Sequence, residues 1–144
     1  MPDLEYFIVC RSVTFDIDTD EISLSGILED IYLEDDNGTV LPRAVAVSSW
    51  NLNDSDEGKD FSTVLRITLP DGTKPSDFPM NLERRSRRHR AMISITEIPL
   101  EKPGVITFEV LLNAQHGANH KVLVHPPGTR ASEGIPMIGG GKTK

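Results

Sequence analysis

The sequence contains one cysteine, Cys10, so no internal disulfide can form, and a reducing compartment suits it. Aromatic residues make up only 6% of the chain, with one Trp, two Tyr and five Phe. A surface that stacks nucleobases interleaves aromatics with cations, and no stretch offers that pattern. No apolar run approaches the ~20 residues that a membrane-spanning helix requires. The opening Met1-Pro2-Asp3-Leu4-Glu5 has no basic leader and no apolar core, so no secretory signal is read there and a cytoplasmic location is expected. Positive charge is also short: 15 Lys and Arg stand against 22 Asp and Glu, a net charge of −7. Most of such a surface repels a polyanion, which argues against nucleic acid as a partner. Three-four periodicity is never sustained over a helical length, so any helix should be short, with the Pro-interrupted stretch 76–82 its best place. Hydrolase, dinucleotide and phosphate-loop signatures are missing. The Gly139-Gly140-Gly141-Lys142-Thr143 run lacks the leading glycine spacing of a phosphate loop, and no cofactor is implied.

What the chain does have is period-two alternation. After the Pro103-Gly104 turn, Ile106, Phe108, Val110 and Leu112 fall on one face of a strand, and the loop 114–119 returns the chain into a partner strand over 121–125. Further strands are read over 6–13, 21–31, 44–50, 63–69 and 91–98, with Trp50 packed at the end of the third. In 21–31 the apolar parity changes at Gly26, where a β-bulge would bring Ile22, Leu24, Ile27 and Ile31 into one core. Asn37-Gly38 marks the clearest tight turn. About seven short strands in 144 residues predict an all-β, antiparallel two-sheet β-sandwich of immunoglobulin-like size. Residues 1–125 should form that one domain, and the Pro/Gly-rich 126–144 an extended or mobile tail.

The least ordinary feature is Arg84-Arg85-Ser86-Arg87-Arg88-His89-Arg90, five arginines within seven positions of an acidic chain. Guanidinium forks match carboxylate and phosphate geometry, so Arg84, Arg85, Arg87, Arg88 and Arg90 are the candidate partner-binding residues. The plainer reading pairs them with the chain's own acids, Glu29-Asp30 and Glu34-Asp35-Asp36 being candidates. The acidic loop 53–60 gathers Asp54, Asp56, Glu57 and Asp60 but lacks the EF-hand spacing, which favours a plain solvated loop. His116 and His120 fall in the expected loop of the last hairpin, with no cysteine beside them to complete a zinc set. Cys10 sits within a strand and should be a buried, inert thiol.

Phe7-Ile8-Val9-Cys10, Leu24-Ser25-Gly26-Ile27 and the Pro103-Gly104 lead into Ile106, Phe108 and Val110 together resemble an uncharacterised family of small bacterial proteins. Arg11 and Ile106 depart from that family's acidic and aromatic preferences. The resemblance covers most of 6–124 and implies a β-sandwich with no assigned activity, so it transfers no catalytic residue. The resulting expectation is a non-enzymatic module acting through protein–protein contact, with a protein partner or itself as a homodimer. One alternative is a small-ligand or metal-binding, even catalytic, sandwich that joins Asp54, Asp56, His116 and His120 at one end. Another is a structural part of a phage-like or secretion assembly.

Overall fold

The computed structural model describes residues 1–128 except Asp36, Pro42 and Ser86, with the side chains of 83–85 left aside. The chain runs through β1 (Asp3–Phe15), β2 (Ile22–Ile27), β3 (Asp30–Tyr32), β4 (Thr39–Leu41), β5 (Ala44–Asn51) and β6 (Thr63–Thr68). It continues through β7 (Ser76–Pro79), β8 (Asn81–Arg85), β9 (Arg88–Ile95), β10 (Ile98–Leu100), β11 (Gly104–Leu112) and β12 (Gln115–His125). One five-stranded sheet has the order β2-β1-β5-β9-β8 and a second the order β3-β12-β11-β6-β7, while β4 and β10 pair by themselves. The two large sheets pack on one core, Val9, Ala46 and Ala91 from the first meeting Leu65, Phe108 and Val122 from the second. The all-β expectation therefore holds.

Among the described residues twelve strands replace the expected seven or so, in three sheets rather than two. Three-residue strands such as β4 and β10 are too short to show a period, so sequence patterning cannot reveal them. The pairing is not wholly antiparallel either, since β3 runs parallel to β12. The expected strand over 21–31 is cut in two because the chain changes sheets after Ile27. No bulge forms at Gly26: the β1–β2 register keeps one offset from Cys10↔Ile27 to Phe15↔Ile22. The parity is settled instead by the sheet change, which leaves Ile27 exposed and buries Leu28 and Ile31 on the other side.

The stretch 76–82 holds no helical turn. It supplies β7 and the start of β8, which lie at the edges of the two large sheets. An edge tolerates Pro79 because the missing N–H has no ladder partner to disappoint. The one helical turn among the described residues is a 3₁₀ turn at Asp54–Asp56, inside the acidic loop. The tail expected over 126–144 lies, from 129 onward, outside the described residues.

The last hairpin is tighter than expected. Asn113 and Ala114 both have positive φ, 49° and 67°, and connect β11 to β12 as a two-residue turn, so 115–120 is strand rather than loop. Such a turn needs two left-handed residues, which Asn accepts readily and Ala does not. Reciprocal hydrogen bonds with Ser62 hold it: the Asn113 N–H donates to the Ser62 carbonyl at 2.8 Å, and Asn113 Oδ1 accepts from the Ser62 N–H at 2.9 Å. A register shift after Val110 leaves Gly117 as the extra residue of β12. A Cβ there would stand 2.7 Å from the Trp50 ring, so Gly117 is what lets that buried indole close the intersheet space.

Candidate functional site

The arginine run is not a lead-in to one strand but a hairpin. Arg84 and Arg85 lie on β8 and face His89 and Arg88 of β9 across the ladder, with Arg87 in the turn. Alternation along β9 then separates the remaining members. His89 points into the core, fully buried, with Nε2 2.8 Å from the Thr63 hydroxyl and the Phe61 ring edge-on at 6.1 Å. Arg90 points to the opposite face and is also buried, its guanidinium 5.6 Å from the centre of the Phe15 ring. Phe15 belongs to β1, which lies two strands from β9 in the sheet. The far end of β1 must therefore fold back across the outer face of its own sheet. Outward-facing Val47 and Ser49 likewise have no exposure, and the Ser49 hydroxyl is taken up by Glu5.

Of the five candidate arginines, three are thus placed with their side chains. Arg90 is buried and presents no guanidinium to a partner. Arg87 is exposed and pairs with Asp54 at 2.7 Å. Arg88 reaches across β5 and grips Glu5 with both ends of its fork, Nε to Oε1 at 2.7 Å and a terminal nitrogen to Oε2 at 3.2 Å. The Ser49 hydroxyl donates to the same Oε1 at 2.8 Å. For Arg87 and Arg88, pairing with the chain's own acids is therefore real, and the acids are Asp54 and Glu5 rather than the groups near 29–36. The side chains of Arg84 and Arg85, and Asp36, lie outside the described residues. Sequence distance hides this, because Glu5 and Arg88 meet only once β1, β5 and β9 are side by side.

The Arg88 fork holds the Glu5 carboxyl below its ordinary value of 4.5; burial opposes the shift, and the Ser49 hydroxyl assists it. A group lowered by folding stabilises above its unfolded pKa, and that stabilisation fades as pH falls through the folded value. Arg88→Ala should therefore lower the urea midpoint at pH 7, and the gap to the parent should narrow below pH ~4.3 as Glu5 takes up its proton in both proteins. Urea titrations at pH 7 and pH 3 check this; a gap of equal size at both would show that the pair is not its source.

The acidic loop is not an open cation cradle. Asp56 is buried, accepts from the Asn53 N–H at 2.9 Å through Oδ2, and meets the α-ammonium of Met1 at 3.0 Å through Oδ1. Burial alone would raise its pKa, but the Asn53 N–H and the ammonium outweigh that and lower it. Among the described residues no three His, Cys, Asp or Glu side chains are grouped as a metal would need.

The alternative set is dispersed among other partners. Asp54 goes to Arg87, Asp56 to Met1, and His116, on the exposed face of β12, lies 2.6 Å from Glu109. His120 is no surface histidine. It stands half-buried between the sheets, with Phe7 and Phe108 edge-on at 6.5 and 6.4 Å. Its Nε2 donates to the Leu28 carbonyl at 2.6 Å, and Nδ1 accepts from the Val9 N–H at 3.4 Å. The ring thus takes the place of the strand partner that β1 loses where β2 departs. Alternation in β12 could have signalled this, but only once 115–120 was read as strand. Cys10 is fully buried, its Sγ 3.7 Å from the Val45 carbonyl, and burial raises its pKa, as suits an inert thiol.

A scan against protein-family models finds no match for the chain, and a search of curated proteins finds no related sequence.

Proposed function

We propose that this chain is a non-enzymatic β-sandwich module that works through protein–protein contact, with the β8–β9 hairpin as its contact surface. The observation that carries this reading is the hairpin's construction: an arginine-rich ribbon at a sheet edge, anchored through Arg88 to Glu5 and through Arg87 to Asp54. A ribbon held this way gives up little conformational freedom on binding, so its charge can orient an acidic partner surface at small entropic cost. Arg90 contributes from beneath, by pinning the ribbon under Phe15. Self-association suits the same surface, since the rest of the chain is rich in carboxylates. The resemblance carried by Phe7-Ile8-Val9-Cys10 implies a fold without an activity and adds no residue to this surface.

The test combines native mass measurement with pull-down from cells that express the chain. A dimer mass or a retained protein is expected for the parent, and its loss in an Arg84→Glu, Arg85→Glu double variant of unchanged thermal midpoint. A monomer that retains nothing rejects the proposal.

A further inference from the structure

The chain changes sheets on both sides of the molecule, and the two crossings are finished differently. Where β2 leaves β1, the exposed edge is closed: the Leu28 N–H donates to the Val9 carbonyl at 2.9 Å, and the His120 ring accepts from the Val9 N–H. On the opposite side, β7 crosses to β8 at Met80, whose N–H donates to the Thr63 carbonyl at 3.0 Å. Because of that crossing, β8 begins late, and its first pair is Asn81↔Met92. The last three residues of β9, Ile93, Ser94 and Ile95, pair with β5 on one side only. Among the described residues no strand covers their other edge. The chain then turns away through Glu97, at a positive φ of 59°, into β10.

This open edge has a depression on each face. Between the sheets, Ile67, Phe78, Ile93, Ile95 and Ile98 line a hollow of about 180 Å³. On the outer face, Val13, Phe15, Val45, Met92 and Arg43 line one of about 290 Å³. Ile93 and Ser94 border both. Each is smaller than the ~300–1,000 Å³ usual for a drug-sized ligand, and each suits one or two side chains. A strand laid along an edge sends successive side chains to opposite faces, so paired hollows flanking an open edge are what an added strand would use. Arg43 is exposed in the outer hollow and makes no ion pair among the described residues, which asks for a carboxylate.

We infer that the Ile93–Ile95 edge of β9 is a strand-addition site for an extended segment of a partner protein, with apolar side chains at alternate positions and a carboxylate placed to meet Arg43. The edge, the two hollows and Arg43 make a footprint that one extended segment covers, well below the ~1,200 Å² of a stable chain-to-chain interface, which favours a short peptide. The inference rests on reading the chain as an interaction protein but not on the arginine hairpin.

The probe is an acetylated, amidated decapeptide that alternates Val and Ser with one Ser replaced by Glu, and the control carries Lys in place of that Glu. Titration into ¹⁵N-labelled protein should shift the amides of Ile93–Ile95 and slow their hydrogen exchange about tenfold at saturation. The Glu peptide should bind about tenfold tighter than the Lys peptide, the size expected of one charge-assisted hydrogen bond, and Arg43→Glu should reverse that order. Arg84→Glu with Arg85→Glu should leave this binding unchanged, so a failure of the hairpin reading is separable from a failure here. No shift at Ile93–Ile95 with 1 mM of either peptide overturns the inference. Shifts there that depend on protein concentration alone also overturn it, by assigning the edge to a second copy.

Discussion

Phe108→Ala is expected to lower the free energy of unfolding by about 3–5 kcal/mol, the range for deleting a buried aromatic ring. Phe108 has no exposure and lies in the middle of β11, whose two neighbours β12 and β6 hold its backbone on both sides. Its partners across the ladder are Ile67 and His120. The sheets cannot simply close over the gap, because hydrogen-bonded strands on each side set their separation, so much of the cavity should persist. A domain of this size is stable by ~5–15 kcal/mol in total, so the variant should unfold at markedly lower urea with an unchanged slope. Equilibrium urea titration followed by Trp50 fluorescence measures it. A loss below about 1 kcal/mol, the range of ordinary surface changes, would place the ring outside the core.

The second large effect is expected at His120. Replacement by alanine strands two backbone groups, the Leu28 carbonyl and the Val9 N–H, at the point where the chain passes between sheets. Leaving such groups unsatisfied costs about 1–3 kcal/mol, and the edge-on contacts with Phe7 and Phe108 are lost as well. The damage should be local before it is global. Native-state hydrogen exchange of Val9 should quicken in His120→Ala beyond what the fall in global stability accounts for, while Leu65 on β6 follows global stability alone. Uniform acceleration at both amides would mean that the imidazole only fills space.

Much of the scaffold was legible because burial on one face of a strand writes itself as alternation. Ile106, Phe108, Val110 and Leu112 read as one inward row, and all four are buried. Thr63, Leu65 and Ile67 do the same in β6. Trp50 closes the end of its strand as expected. The candidate surface was legible only as composition. Arginine density drew attention to 84–90, but the pattern Arg-Arg-Ser-Arg-Arg does not announce a turn, because Ser86-Arg87 lacks the Gly or Asn that marks a tight hairpin. With the hairpin unseen, the run could not be divided into Arg88, held by Glu5, and Arg90, buried under Phe15. The Asn113-Ala114 turn does carry an Asn, but Ala beside it hides the turn: Ala takes a left-handed conformation there where Ser62, 51 residues away, binds its neighbour.

By itself, the sequence determined the class of fold, the inward rows of the central strands, the absence of a membrane-spanning apolar run and the segregation of charge. Each depends on local composition or on neighbours two residues apart, which a strand converts directly into faces. Only the tertiary structure decided which strands share a sheet, where the chain crosses between sheets, and which edges are left open. Those depend on partners brought together from far along the chain: Glu5 with Arg88, His120 with Val9 and Leu28, Met80 with Thr63. A backbone N–H or C=O is the same in every residue, so the pairing that closes one edge and, among the described residues, leaves the Ile93–Ile95 edge open has no signature in side-chain identity.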